Sequence, residues 1–216
     1  MKKILYMGFL SSLFSFLGCK NTPPTFDEQL KIFVDLGYTL NEGCDTSDIN
    51  RWQDGHKEFE EQPYRLMYKT LGQTIEREPW TPLTDKCLDF DLEAIEDHGA
   101  YIDIMKSISR ISNNELKFNN IKDYVDIEKG IAWVSFNCNG DKYKWDLIVN
   151  DDWADGNLFD LVQELTDKYN TKGKFTFFNT GGQDFVLGYH TPTELEKIKQ
   201  ITGLDIVWLK AKGQIY

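Results

Sequence analysis

The sequence predicts an α+β fold, with a largely antiparallel sheet built from two hairpins and helices packed on one face. Three observations lead there. Ile131 to Cys138 and Tyr143 to Val149 are β-rich runs on either side of Asn139-Gly140, a dipeptide that tolerates the positive φ angles of a tight hairpin turn. Lys174 to Asn179 and Phe185 to His190 repeat the arrangement around Thr180-Gly181-Gly182-Gln183. Segments whose apolar residues recur at helical spacing alternate with these hairpins, giving β-β-β-α-β-β-α-β for the C-terminal part.

Taken in order, residues 1–18 have the layout of a secretory signal: Lys2 and Lys3, an apolar run from Ile4 to Leu17, and the small Gly18. The run is shorter than the roughly 20 residues of a membrane-spanning helix. Residues 19–25 read as a tether, because Pro23 and Pro24 favour extended chain. Residues 26–216 are expected to form a single α+β domain, with the break near Pro79 and Pro82 as the best candidate for a division. Thr25 and Glu28 have capping-box spacing, and Phe26, Leu30, Phe33 and Val34 would line one face of a helix that Gly37 ends. A short helix follows Asp45, Thr46 or Ser47 and runs toward Trp52. Tyr64 to Ile75 has mixed periodicity and fits helix or strand.

Cys87 to Phe90 reads as a short strand. Tyr101, Ile102, Met105 and Ile108 then give helical 3, 4, 7 spacing, ended by Ser112-Asn113-Asn114. Tyr124 to Ile127 is a strand before the first hairpin, whose second strand points Tyr143, Trp145, Leu147 and Val149 to one face. Asp155 or Asn157 can cap a helix carrying Leu158, Leu161, Val162, Leu165 and Tyr169. Thr191-Pro192-Thr193-Glu194 is the sharpest local signal: a capping threonine, proline at the first helical position and glutamate three after the cap. Leu195, Ile198 and Ile201 follow on that helix, then Gly203 and a strand from Leu204 to Leu209.

Composition narrows function. In 216 residues, 41% hydrophobic and 27% charged content predicts a folded domain with a real core. A formal charge of −11, with pI near 4.8, argues against a sequence-independent nucleic-acid binder, which needs Lys and Arg to displace counterions. Loss of residues 1–18, which hold two lysines and no acid, would take the formal charge to −13.

Residues with reactive side chains form no recognisable motif. Cys44, Cys87 and Cys138 are widely spaced, which suits small buried residues, or one disulfide and a free thiol, better than a zinc site. His98 follows Glu96-Asp97 near a helix start, and His190 ends a strand; a carboxylate beside a histidine suits acid–base catalysis, while acids at a helix start also answer the macrodipole. Asp151-Asp152-Trp153-Ala154-Asp155-Gly156-Asn157 clusters oxygens on a turn, but Trp153 and Val162 occupy positions where a calcium loop needs ligands. Gly181-Gly182 lacks the lysine of a phosphate loop. No cofactor and no metal is therefore expected. Trp133, Trp145 and Trp208 sit in strand patterns and suit the core, whereas Trp80 and Trp153 suit exposed anchors.

Two resemblances bear on function. Phe16-Leu17-Gly18-Cys19 resembles the lipobox of bacterial lipoprotein precursors, although Phe16 and Leu17 depart from its usual leucine and small residue. The resemblance implies that Cys19 is lipidated and becomes the new N-terminus. It also implies an envelope location, at the outer membrane where the cell has one, since Lys20 is not the aspartate that retains such proteins at the inner membrane. Tyr143-Lys144-Trp145-Asp146-Leu147, Asp151-Asp152-Trp153 and Gly181-Gly182-Gln183-Asp184 resemble bacterial α+β proteins of the immunity kind, which neutralise toxins by binding. Two expectations result. The first is a membrane-tethered, non-catalytic binding lipoprotein whose Asp151, Asp152 and Trp153 face a basic protein partner. The second is a periplasmic hydrolase or metal-dependent enzyme using Asp97 with His98, or His190; it requires a histidine sharing a concave pocket with at least two acids.

Overall fold

Residues 22–49 and 55–210 are described by the computed structural model; the signal segment 1–18, Cys19 and the Trp52 end of the short helix lie outside them. The N-terminal part is helical, with α1 (Phe26–Asp35), α2 (Thr46–Ile49), α3 (Lys57–Glu61) and α4 (Arg65–Leu71). A two-residue antiparallel pair follows, β1 (Thr74–Ile75) with β2 (Thr81–Pro82). Then come β3 (Cys87–Asp91), α5 (Ala100–Ile111), β4 (Phe118–Asp126), β5 (Ile131–Cys138) and β6 (Asp141–Ile148). α6 (Asn157–Lys168), β7 (Lys174–Asn179), β8 (Asp184–His190), α7 (Pro192–Thr202) and β9 (Val207–Trp208) complete the order.

The fold is α+β and its sheets are antiparallel, as the hairpins predict. The two hairpins lie in different sheets, however: β5 and β6 join β4 in a three-stranded sheet, while β7 and β8 belong to a four-stranded sheet of order β3-β8-β7-β9. Helices cover both faces of the four-stranded sheet rather than one. Phe175, Phe185, Leu187 and Tyr189 point into a core shared with α5, α6 and the three-stranded sheet. Phe178 and Val186 point the other way, into an aromatic core with α1, α4 and α7. The physical reason is visible in β8, where every residue from Phe185 to His190 is buried. A strand with no polar gap must be covered on both sides.

Local chemistry explains the element ends. Thr25 and Glu28 form the expected capping box on α1, and Thr191 and Glu194 form another on α7. In the latter, Glu194 N–H donates to Thr191 Oγ1 at 3.3 Å and Thr191 N–H donates to Glu194 Oε2 at 2.8 Å. Asn139 and Gly140 both take positive φ, 48° and 98°, in the β5–β6 turn. The face of α1 differs from expectation in one residue: Val34 is exposed and Gln29 is buried. Burial of Gln29 is compensated, because its side chain donates to Pro24 O and Phe59 O and accepts from Tyr64 N–H.

Gly188 is a point of close packing within β8. A Cβ there would lie 2.5 Å from His190 Cε1 and 2.7 Å from both Thr176 Oγ1 and Tyr68 Oη. All three groups belong to buried residues of the same face. Replacement Gly188→Ala should therefore destabilise the fold by about 1–3 kcal/mol through overpacking. Thr191→Ala should cost about 1 kcal/mol by removing one cap. Equilibrium denaturation of both variants checks the order; a neutral Gly188→Ala would show that the aromatic face yields more easily than its spacing indicates.

Candidate binding cleft

Two turns that are distant in sequence meet beside the four-stranded sheet. The first is the exit from β6. Asp155 organises it: one carboxylate oxygen accepts from Ile148 N–H at 2.9 Å, the other from Asn157 N–H at 2.9 Å, so the strand end and the helix start share one acid. Between them Asp151 takes φ 59°, and Trp153 N–H donates to Asn150 O. Backbone bonds from Ile95 N–H to Asp152 O and from Ala154 N–H to Leu92 O then staple this turn to the segment after β3.

The second turn is the β7–β8 connection, where Leu92 N–H donates to Gln183 O at 3.2 Å. Trp153, Leu92, Phe177 and Phe185 form the apolar part of a cleft of about 320 Å³, with Gly181, Gly182 and Asp184 on its margin. The Gln183 side-chain amide donates to Asp91 at 3.1 Å and to Glu93 at 2.7 Å, which holds both exposed carboxylates beside the cleft. Asp151 is exposed, and Asp152 and Trp153 are half-buried.

The wall behind the cleft is electrostatically asymmetric. Asp184 lies 2.6 Å from Lys69 Nζ. Burial alone would raise its pKa, yet the Lys69 ammonium and the Thr180 hydroxyl keep it below the usual carboxylate range. Asp89, one turn of the pleat further into the sheet, is pushed up to about 6 by burial, against the opposing pull of Gln73 and Lys69. Arg65 closes the far side, donating to Asn179 O and lying over the Phe178 ring. Of the apolar lining, Trp153 and Phe177 are half-buried and accessible while Leu92 and Phe185 are buried, and carboxylates without an ion-pair partner among the described residues lie beside the cleft on Asp91 and Glu93. Such a cleft suits a cationic group on an apolar stem.

The other residues singled out in the sequence are dispersed. His98 is exposed and lies 3.0 Å from Asp97, with Tyr124 packed beside it. The acid that caps α5 is instead Asp123 of β4, which accepts from the N–H groups of Gly99, Tyr101 and Ile102. His190 is 3% exposed, with Nε2 2.7 Å from Tyr38 Oη and Nδ1 2.9 Å from Thr176 Oγ1. It borders a cavity of about 300 Å³ together with Asp35 and Glu194. Both of its ring nitrogens are nevertheless engaged, and Glu194 is committed to its cap and to Lys86. Cys44, Cys87 and Cys138 are free thiols; burial pushes Cys87 up to about 12, leaving it protonated and inert. Trp80 is 63% exposed, while Trp133, Trp145 and Trp208 are half-buried. Among the described residues, no group of three or more His, Cys, Asp or Glu side chains is placed to hold a metal ion.

Asp91, Leu92, Glu93 and Phe177 carried no signal in isolation. The register that pairs Asp91 with Asp184 brings the first three to the cleft. Comparison with protein-family models, curated proteins and solved structures returned no match.

His190 supplies a pH-dependent term. Burial lowers its pKa to about 4, so the unfolded chain, with an ordinary value near 6.5, binds the proton first as pH falls. Its contribution is fully present above the ordinary value and is lost between the two, amounting to about 3 kcal/mol. Asp89 acts in the opposite sense, since its raised value makes the folded state the better proton binder. Chemical denaturation of the wild type and His190→Gln across this range isolates the histidine, because Asp89 is common to both. The wild type should lose stability more steeply than the variant on acidification; parallel curves would remove His190 as the cause.

Proposed function

We propose that this chain is a membrane-tethered, non-catalytic binding lipoprotein of the bacterial envelope, of the immunity or inhibitor kind, which takes a basic protein partner at the Trp153 cleft. One observation carries the reading: the Asp151-Asp152-Trp153 exit and the Gly181–Asp184 turn, separate in sequence, are stapled by backbone bonds into one cleft lined by Trp153 and Phe177, with the Asp91 and Glu93 carboxylates held beside it by Gln183. A lysine or arginine of the partner would lay its stem on Trp153 and Phe177 and turn its head toward Asp91, Glu93, Asp151 and Asp152. The formal charge of −11 would add long-range steering of such a partner.

Tethering rests on the lipobox-like Phe16-Leu17-Gly18-Cys19, with Cys19 carrying the lipid and residues 19–25 spacing the domain from the membrane. Lys20 favours the outer membrane in a cell that has one. Among the described residues no helix is long and apolar enough to cross a membrane. The acid–base alternative finds its pocket at His190, which shares a cavity with Asp35 and Glu194, but both ring nitrogens there are engaged and Glu194 is held by its cap and Lys86, while His98 is surface-exposed.

The test is crosslinking in the native cell from a photoreactive phenylalanine analogue placed at Trp153. It should capture a partner of net positive charge, and reversal of Asp151 and Asp152 to lysine should reduce capture by about tenfold or more, with the residual capture falling further in high salt. Undiminished capture by the reversed protein would remove this cleft from the account. Mass analysis of the mature protein should show a lipid-modified Cys19 at the N-terminus; a different start would remove the anchor while leaving the cleft untouched.

A further inference from the structure

We propose that the outer edge of β6 pairs antiparallel with the same edge of a second copy of this chain, joining two three-stranded sheets into one of six strands. β6 (Asp141–Ile148) is eight residues long and ends the sheet of order β4-β5-β6. An edge strand of that length is a template for strand addition unless the fold covers or blocks it. The two-residue Asn139-Gly140 turn makes Cys138 and Asp141 a hydrogen-bonded pair, so the N–H and C=O groups of Lys142, Lys144 and Asp146 point away from β5. Ile148 N–H follows the same phase, reaching Asp155 and not β5. Among the described residues no backbone hydrogen bond covers the outward N–H groups of Lys142, Lys144 and Asp146.

Charge complementarity selects both the occupant and the register. Lys144 and Asp146 lie on the open face with side chains 58% and 86% exposed, and their own ion pair along the strand is long, at 3.7 Å. Outward-facing residues pair only with outward-facing residues, so a two-fold axis can fall on Lys144, on Trp145 or on Asp146. On Trp145 it sets Lys144 opposite the partner's Asp146 and Asp146 opposite the partner's Lys144. That register has two opposite-charge pairs and no like-charge pair. An axis on Lys144 would set two ammonium groups opposite each other, and one on Asp146 two carboxylates. Lys142 and Lys144 discourage other strands from this edge, whereas a second copy supplies the acid that matches.

The inner face agrees with this register. Tyr143 and Trp145 point toward the core yet stay half-buried, whereas Leu147 is buried. An axis on Trp145 places its ring beside the partner's Trp145 as a non-hydrogen-bonded neighbour, where side chains approach most closely. Trp145 already packs edge-on against Phe136 at 4.7 Å, so the pairing extends an aromatic row that now stops at the sheet edge. With Ile148 N–H held by Asp155, the paired stretch is short. The contact therefore falls in the class below about 1,200 Å², and the dimer is reversible. Lys144 and Asp146 do not line the Trp153 cleft, so edge and cleft are tested apart.

The experiment is sedimentation equilibrium of the full chain in density-matched detergent, from about 10 µM to 1 mM, the range of a weak contact. The wild type should show a reversible monomer–dimer equilibrium. Lys144→Glu sets acid opposite acid in both symmetric pairs, and Asp146→Lys sets lysine opposite lysine; each should weaken the dimer about tenfold. An equimolar mixture of the two variants should regain dimer, because each acid then faces a lysine of the other chain. Recovery in the mixture also shows that both variants are folded. The double exchange Lys144→Glu with Asp146→Lys should dimerise as the wild type does, an outcome that an axis on Lys144 or Asp146 disfavours. A wild type that stays monomeric across this range, single variants that dimerise as tightly as the wild type, or a mixture or double exchange that stays monomeric would overturn the proposal.

Discussion

β8 is the strand on which both cores are assembled, and its two-sided burial constrains everything around it. Phe185, Leu187 and Tyr189 serve the larger core, while Val186 and His190 face the aromatic one. A strand in that position has no solvent to accept its polar groups, so any polar side chain on it must find protein partners. His190 does so between Tyr38 and Thr176, and Gly188 supplies the room that the cluster needs. Burial that strict closes the body of the strand and leaves only its two ends beside cavities. At the start, Asp184 and the preceding turn line the Trp153 cleft; at the finish, Tyr189 and Thr191 line a polar groove of about 610 Å³.

Much of this was legible because it is local chemistry. The Thr191-Pro192-Thr193-Glu194 cap, the Thr25–Glu28 cap and the Asn139-Gly140 turn depend on residues within three or four positions of one another. The first hairpin follows its pleat, with Leu147 and Val149 inside and Lys142, Lys144 and Asp146 outside. What was hidden depends on partners. β4 extends back to Phe118, yet from Asn119 to Tyr124 it is largely solvent-facing and carries a register shift between Asn119 and Lys122, so no alternation marks it. The Arg65–Leu71 helix gains Met67, Tyr68 and Leu71 as buried residues only because the four-stranded sheet stands beneath them. Asp123 caps α5 from another element, which no reading of the helix alone could find.

The same division applies to the candidate site. Asp151-Asp152-Trp153 and Gly181-Gly182-Gln183-Asp184 each stood out in the sequence, as an acidic aromatic exit and as a turn. Their meeting follows from the β3–β8 register and from two backbone bonds to the segment after β3. His98 and His190 likewise stood out, but their positions assign them to separate surroundings, one exposed and one enclosed. A histidine at a strand end looks the same in sequence whether the strand is covered on one face or on two; only the layer of α1 and α4 over the second face decides it.

The aromatic surface of the three-stranded sheet offers an instructive contrast with the cleft. Its open face carries Tyr124 stacked with Trp133, and the Ile131–Ile148 pair is exposed across two strands. These rings already have cationic or polar neighbours of their own: Lys144 lies 5.1 Å from the Trp133 centroid and His98 packs on Tyr124. The edge strand β6 is guarded by Lys142 and Lys144, and Asp155 accepts from the Ile148 N–H. A cation arriving from a partner would have to displace Lys144 from Trp133 before gaining the ring. At Trp153 no lysine or arginine among the described residues occupies the ring, while Asp91, Glu93, Asp151 and Asp152 lie on the adjacent turns. An incoming ammonium or guanidinium would there meet a ring with no cation to displace, and that difference is why the proposed basic partner is assigned to the cleft and not to the larger exposed sheet.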